Sequence, residues 1–97
     1  MMSWIISAEA LRDIDDIRDH SLRIWGGSQA RKYLGEIQAA IIRASNAPHR
    51  ASLASEYRSG YRKTRTKSHM IFFKIGSGQI EVVRILHVHA DFDAQLE

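Results

Sequence analysis

The chain is 97 residues long, 44% hydrophobic and mildly basic at +3, with no cysteine. That is one domain, residues 1–97, with a single modest core, and it is too apolar for an intrinsically disordered chain. The missing thiols exclude a disulfide framework, cysteine catalysis and thiolate metal sites, and they fit a reducing cytoplasm.

Met1-Met2-Ser3-Trp4-Ile5-Ile6 lacks the charged start and long apolar core of a signal peptide and reads as a first strand, Ser3 to Ile6. No later run approaches the roughly 20 apolar residues of a membrane span. Ser7 stands where an N-cap belongs, with Glu9 near the positive end of the following helix dipole. Leu11, Ile14, Ile17 and Ile24-Trp25 follow helical spacing, and Gly26-Gly27 ends that helix. Ser28 is the expected N-cap of a second helix whose stripe is Ala30, Tyr33, Leu34, Ile37, Ala40, Ile41 and Ala44. Asn46 and Pro48 stop it, and the short glycine connection makes the two helices an antiparallel hairpin.

Residues 49 to 57 read as irregular or as a short helical turn. After Gly60 the period changes. Tyr61 to Ser68 alternates as a strand, and His69 to Ile75 is a second, aromatic-rich one. Gly76-Ser77-Gly78 forms a hairpin turn, and Gln79 to His87 is a third strand, apolar enough for a central position. Val88 to Glu97 is a tail anchored by Phe92 and Leu96. The resulting order is β-α-α-β-β-β: an α+β fold with a helical hairpin on one face of a small antiparallel sheet. The sheet's other face is expected to be only partly covered, and function is expected there.

The charge is unevenly spread. Glu9, Asp13, Asp15, Asp16 and Asp19 crowd the first helix, whereas residues 58 to 74 hold Arg58, Arg62, Lys63, Arg65, Lys67 and Lys74 with no acid. Such a basic block suits an anionic partner, nucleic acid or an acidic protein. In strand geometry Tyr61, Lys63, Arg65 and Lys67 share one face. Charge on an edge strand also blocks edge-to-edge aggregation. Arg84 and His87 are three apart on the last strand, so they face opposite ways unless a bulge intervenes. His87 with Arg62 and Arg65 would suit metal-free RNA cleavage, an acid–base group beside cations that steady a phosphate. A structural His87 that ends a strand is the plainer reading. His87, His89 and Asp91 alternate but are weak as a metal site, and no phosphate loop, Ser-His-Asp order or HExxH appears. No metal and no cofactor is expected.

Four segments together resemble the ParE branch of the RelE/ParE toxins of type II toxin–antitoxin systems. They are Ala8-x-x-Leu11-x-x-Ile14; Trp25-Gly26 with Gln29-Ala30-x-x-Tyr33; Arg58-x-Gly60-Tyr61-Arg62 leading to His69-Met70-Ile71-Phe72-Phe73; and Val83-Arg84-Ile85-Leu86-His87 with Asp91. The resemblance implies a cytoplasmic toxin, of a kind linked to plasmid stabilisation, that inhibits DNA gyrase and stalls replication. It also implies a cognate antitoxin that lays an amphipathic helix along the hairpin and an extended segment across the sheet. RelE-type members instead cut messenger RNA on the ribosome, and here that alternative would use His87, Arg62 and Arg65. ParE-like chains usually carry a basic residue and a methionine before the aspartate, where this chain has His89-Ala90. RelE-like nucleases often end in tyrosine or basic residues, whereas this chain ends Asp91-Phe92-Asp93-Ala94-Gln95-Leu96-Glu97. Acids beside a nucleic-acid phosphate are unfavourable, which favours a gyrase-directed protein binder without chemistry of its own. The expected contact set is Arg58, Arg62, Lys63, Arg65, Lys67, Arg84 and His87, without sequence-specific DNA binding by this chain alone.

Overall fold

The computed structural model describes residues 2–96. Strand β1 (Ser3–Ile6) leads into helix α1 (Ala8–Trp25) and helix α2 (Gly27–Asn46). A single 3₁₀ turn at Pro48–Arg50 precedes β2 (Ser52–Leu53), β3 (Tyr61–Arg65), β4 (His69–Ile75) and β5 (Gln79–His87), and a short helix α3 (Phe92–Gln95) follows.

Local chemistry sets these boundaries. Ser7 Oγ accepts from the Ala10 N–H at 3.0 Å and donates to the Val83 carbonyl at 2.9 Å, so one hydroxyl caps α1 and ties it to β5. Gly26, at φ 85°, ends α1 in a backbone conformation that side chains resist. The same residue begins α2, which has no side-chain cap; Ser28 lies inside the helix and is not its N-cap. Two helices that share one connecting residue leave no room for a separate capping residue.

The sheet order is β1-β5-β4-β3-β2. β2, β3, β4 and β5 pair antiparallel, but β1 runs parallel to β5, with Ile6 opposite Val82. The sheet is therefore mixed rather than wholly antiparallel, because the helical hairpin carries the chain back before β5 is laid beside β1. The two-residue β2 falls in the segment read from sequence as irregular. β3 stops at Arg65, not Ser68, and β5 is central as expected.

The hairpin packs on one sheet face. Ala10, Ile17, Ile37, Ala40 and Ile41 meet Ile71, Val82 and Ile85 there, and Ala44 meets Phe73 and Ile80. Val82 and Ile85 are three apart yet share this face because the β4–β5 register slips between Phe72 and Phe73, leaving Val83 as the extra residue of a bulge. The opposite face carries Phe72 and Leu86, and the chain's own tail lies on it. Phe92 contacts Phe72 and Tyr57 edge-on at ring separations of 5.0 and 5.4 Å, and Leu96 is buried. The expected partial cover is thus real, and its source is the C-terminal segment. Among the described residues, no helix is long and apolar enough to cross a membrane.

Candidate functional site

The basic residues do not form one surface. Tyr61 packs beside Phe72, so alternation along β3 places Tyr61, Lys63 and Arg65 on the face away from the hairpin, and Arg62 and Thr64 toward it. Lys63 pairs with Glu56 at 3.2 Å and sits 5.4 Å from the Tyr57 ring centroid. Arg62 donates from Nη1 to the Ala51 carbonyl at 3.0 Å, which pins it against the chain entering β2. Lys67 lies beyond the end of β3, in the turn to β4, so it does not continue the Lys63–Arg65 row. Among the described residues, Arg58, Arg65 and Lys67 are exposed and have no carboxylate partner within ion-pair distance.

Arg84 is held inside the molecule. Its Nε and Nη2 donate to the two oxygens of Asp13 at 2.8 and 3.0 Å, and its Nη1 donates to the Gln95 carbonyl at 3.0 Å. Asp13 also accepts from the Ile85 N–H at 2.9 Å. The reason is topological. β1 pairs only as far as Val82, so the rest of β5 has an open edge on that side. Asp13 of α1 satisfies a backbone donor on that edge, and Arg84 neutralises the carboxylate. The Asp13 hydrogen bond raises the Arg84 pKa above its ordinary value. The arginine that stood out in the sequence therefore joins sheet, first helix and tail.

His87 lies on the other side. It pairs across the strands with His69, two residues before Ile71 on the hairpin-facing side of β4, at a ring separation of 5.4 Å. Arg84 and His87 do face opposite ways, since the bulge precedes both. His69 is half-buried. Its Nδ1 lies 2.6 Å from the Tyr33 hydroxyl, which also sits 2.9 Å from Thr66 Oγ1 and accepts from the Ser68 N–H at 3.1 Å. Burial first, and then the charge of nearby His87, push the His69 pKa down to about 4, so this imidazole is neutral at neutral pH. Tyr33 and His69 were legible only as an apolar-stripe residue and a strand start. The available signal was that a tyrosine on a buried stripe must find a partner for its hydroxyl.

Tyr33, Ser68, His69 and His87 line a cleft of about 660 Å³ between the hairpin and the β3–β4 turn, together with His20, Trp25, Lys32 and Lys67. The strand register does not bring His87, Arg62 and Arg65 together. Arg62 pairs with Phe73, four residues along β4 from His69, a shift of roughly 13 Å along the strand. Arg65 points to the opposite face. The His89 N–H donates to His87 Nδ1 within the turn, and Asp91 caps α3. Among the described residues, no cluster of three histidine or acidic side chains could hold a metal ion.

Residues 4–92 match the family described as ParE toxin of type II toxin–antitoxin system, parDE. The chain is 39% identical over 94 residues to Toxin ParE1 of Mycobacterium tuberculosis, covering 96% of each. It is 33% identical over 96 residues to Toxin ParE1 of Caulobacter vibrioides, covering 99% of each. In fold it is similar to a solved chain of the chromosomal ParDE TA system from P. aeruginosa, with TM-score 0.80 and 22% identity over 92% of this chain and 98% of that one. A YoeB/ParE toxin from Agrobacterium tumefaciens superposes at TM-score 0.61 and 20% identity, over 91% of this chain and all of that one. The sequence match takes in α1, α2 and parts or all of the five strands, and the chain belongs to the ParE toxin family of type II toxin–antitoxin systems.

Proposed function

We propose that this ParE-family chain acts in the cytoplasm by binding DNA gyrase as a protein partner, stalling replication without a covalent step of its own. A cognate antitoxin, implied by the family, holds it in check, and the pair would stabilise the replicon that encodes it. The observation that carries this reading is the strand register. It separates His87 from Arg62 and turns Arg65 to the other face, so the set expected of a metal-free nuclease is not assembled. What remains is a binding surface. Among the described residues Arg58 and Arg65 are exposed without a carboxylate partner, Tyr57 and Tyr61 lie on the same side of the sheet as Arg65, and Lys67 stands at the cleft. An antitoxin helix would lie along the hairpin, where Leu11, Leu22, Ile24 and Trp25 are exposed, and an extended segment would follow the sheet.

The reading is tested in cells that express the chain without its antitoxin. An SOS response with intact messages is expected, and the messages should be equally intact with His87→Ala. Codon-linked cuts in messenger RNA that disappear in His87→Ala would replace it with the nuclease reading.

A further inference from the structure

We propose that the cleft between the helical hairpin and the β3–β4 turn binds a purine nucleotide, an unpaired purine base carrying a phosphate. At about 660 Å³ the cleft is in the size range of small-molecule sites. Ile17 lines its apolar part, and the Tyr33 side chain is held still by its bonds to Ser68, Thr66 and His69. Trp25, also in the lining, is 61% exposed and meets His20 edge-on at 6.4 Å. A tryptophan this exposed adds little to the core, but it offers a π face on which a base can stack.

The polar groups match the two ends of a nucleotide. Lys32 and Lys67 line the cleft without a carboxylate partner among the described residues, and ammonium groups are suited to phosphate oxygens. Asp16 and Glu36 would repel a phosphate but accept hydrogen bonds from the N–H groups of a base. Guanine presents adjacent ring and exocyclic N–H donors, which the two oxygens of a single carboxylate accept together, so a guanine nucleotide suits an acid-lined cleft best. The mixture of signs argues against a site for a simple anion. Neutral His69 adds a hydrogen-bonding group without adding charge. A free nucleotide and an unpaired base in a nucleic-acid strand offer the same chemistry.

The full-length chain is titrated with GMP, AMP, CMP, inorganic phosphate and a single-stranded G-containing hexanucleotide, followed by tryptophan fluorescence and amide chemical shifts. Saturable quenching by GMP is expected, with a Kd of roughly 0.1–1 mM and CMP about fivefold weaker. Trp25→Ala and Lys67→Ala should each weaken GMP binding about tenfold, the loss of one stacked face or one phosphate contact. Both side chains are exposed, so an unchanged circular dichroism spectrum would show that the variants fold. Tighter binding of the hexanucleotide, competed by GMP, supports the site and makes a strand its source. Equal or weaker binding supports it with a free nucleotide as the source. No saturable response to GMP or AMP overturns the proposal. So does a response matched by phosphate or CMP, or one unaltered in both variants.

Discussion

Replacing Asp13 by alanine tests how the sheet is joined to the first helix. The carboxylate is 12% exposed, the Arg84 side chain 18%, and three donors converge on it at 2.8 to 3.0 Å. Alanine would leave the Ile85 N–H unpaired, at about 1–3 kcal/mol. It would also strand a mostly buried guanidinium, for which loss of one partner costs about 3–5 kcal/mol when burial is complete. Glu9 at 3.8 Å and the Gln95 carbonyl still face Arg84 and soften that loss. A total near 3 kcal/mol follows, or roughly 12–24 °C in Tm for a domain of this size. Urea unfolding of Asp13→Ala, Arg84→Met and the double variant gives the coupling, expected near 2 kcal/mol. Asp13→Asn keeps an acceptor for Ile85 while losing the charge, so it should fall between wild type and alanine. A loss below about 0.5 kcal/mol for Asp13→Ala, the range of ordinary surface substitutions, would refute the argument.

Ser7→Ala removes the α1 cap and the bond to Val83, and should cost about 1–2 kcal/mol by thermal unfolding. Leu96→Ala should cost about 2 kcal/mol, with Tyr57 and Phe92 signals shifting in NMR spectra, because the tail covers the second sheet face. Folding lowers the His69 pKa from 6.5 to about 4, so the unfolded chain binds its proton first. Stability should therefore fall as pH drops from about 6.5 toward 4 and be unaffected by this group above that window. After solvent screening the loss is about 1–2 kcal/mol. Urea midpoints across that range should show the slope flatten in His69→Gln.

The elements were legible where one residue decides the outcome locally. Ser7, Gly26 and the Gly76–Gly78 turn each fix a boundary through their own backbone chemistry, and the α2 stripe repeats often enough to show its buried face. Features set by distant partners were not legible. The parallel placement of β1 depends on the whole hairpin crossover, and two residues of β2 are too few to show a period. Arg84 looked like equipment for a partner because its true partner, Asp13, lies 71 residues earlier. Lys67 fell off its predicted face because β3 ends at Arg65, three residues sooner than its alternation suggests. The cleft joins residues from α1, α2, the β3–β4 turn and β5, and no local pattern announces such a convergence.

The central claim is that the chain acts on gyrase by binding. Purified toxin added to gyrase and relaxed plasmid should abolish supercoiling, and prior addition of antitoxin should restore it. An Arg58→Glu/Arg65→Glu variant, reversed in charge at two exposed positions, should inhibit far more weakly while keeping its Tm. Undiminished supercoiling at saturating, folded toxin would contradict the account.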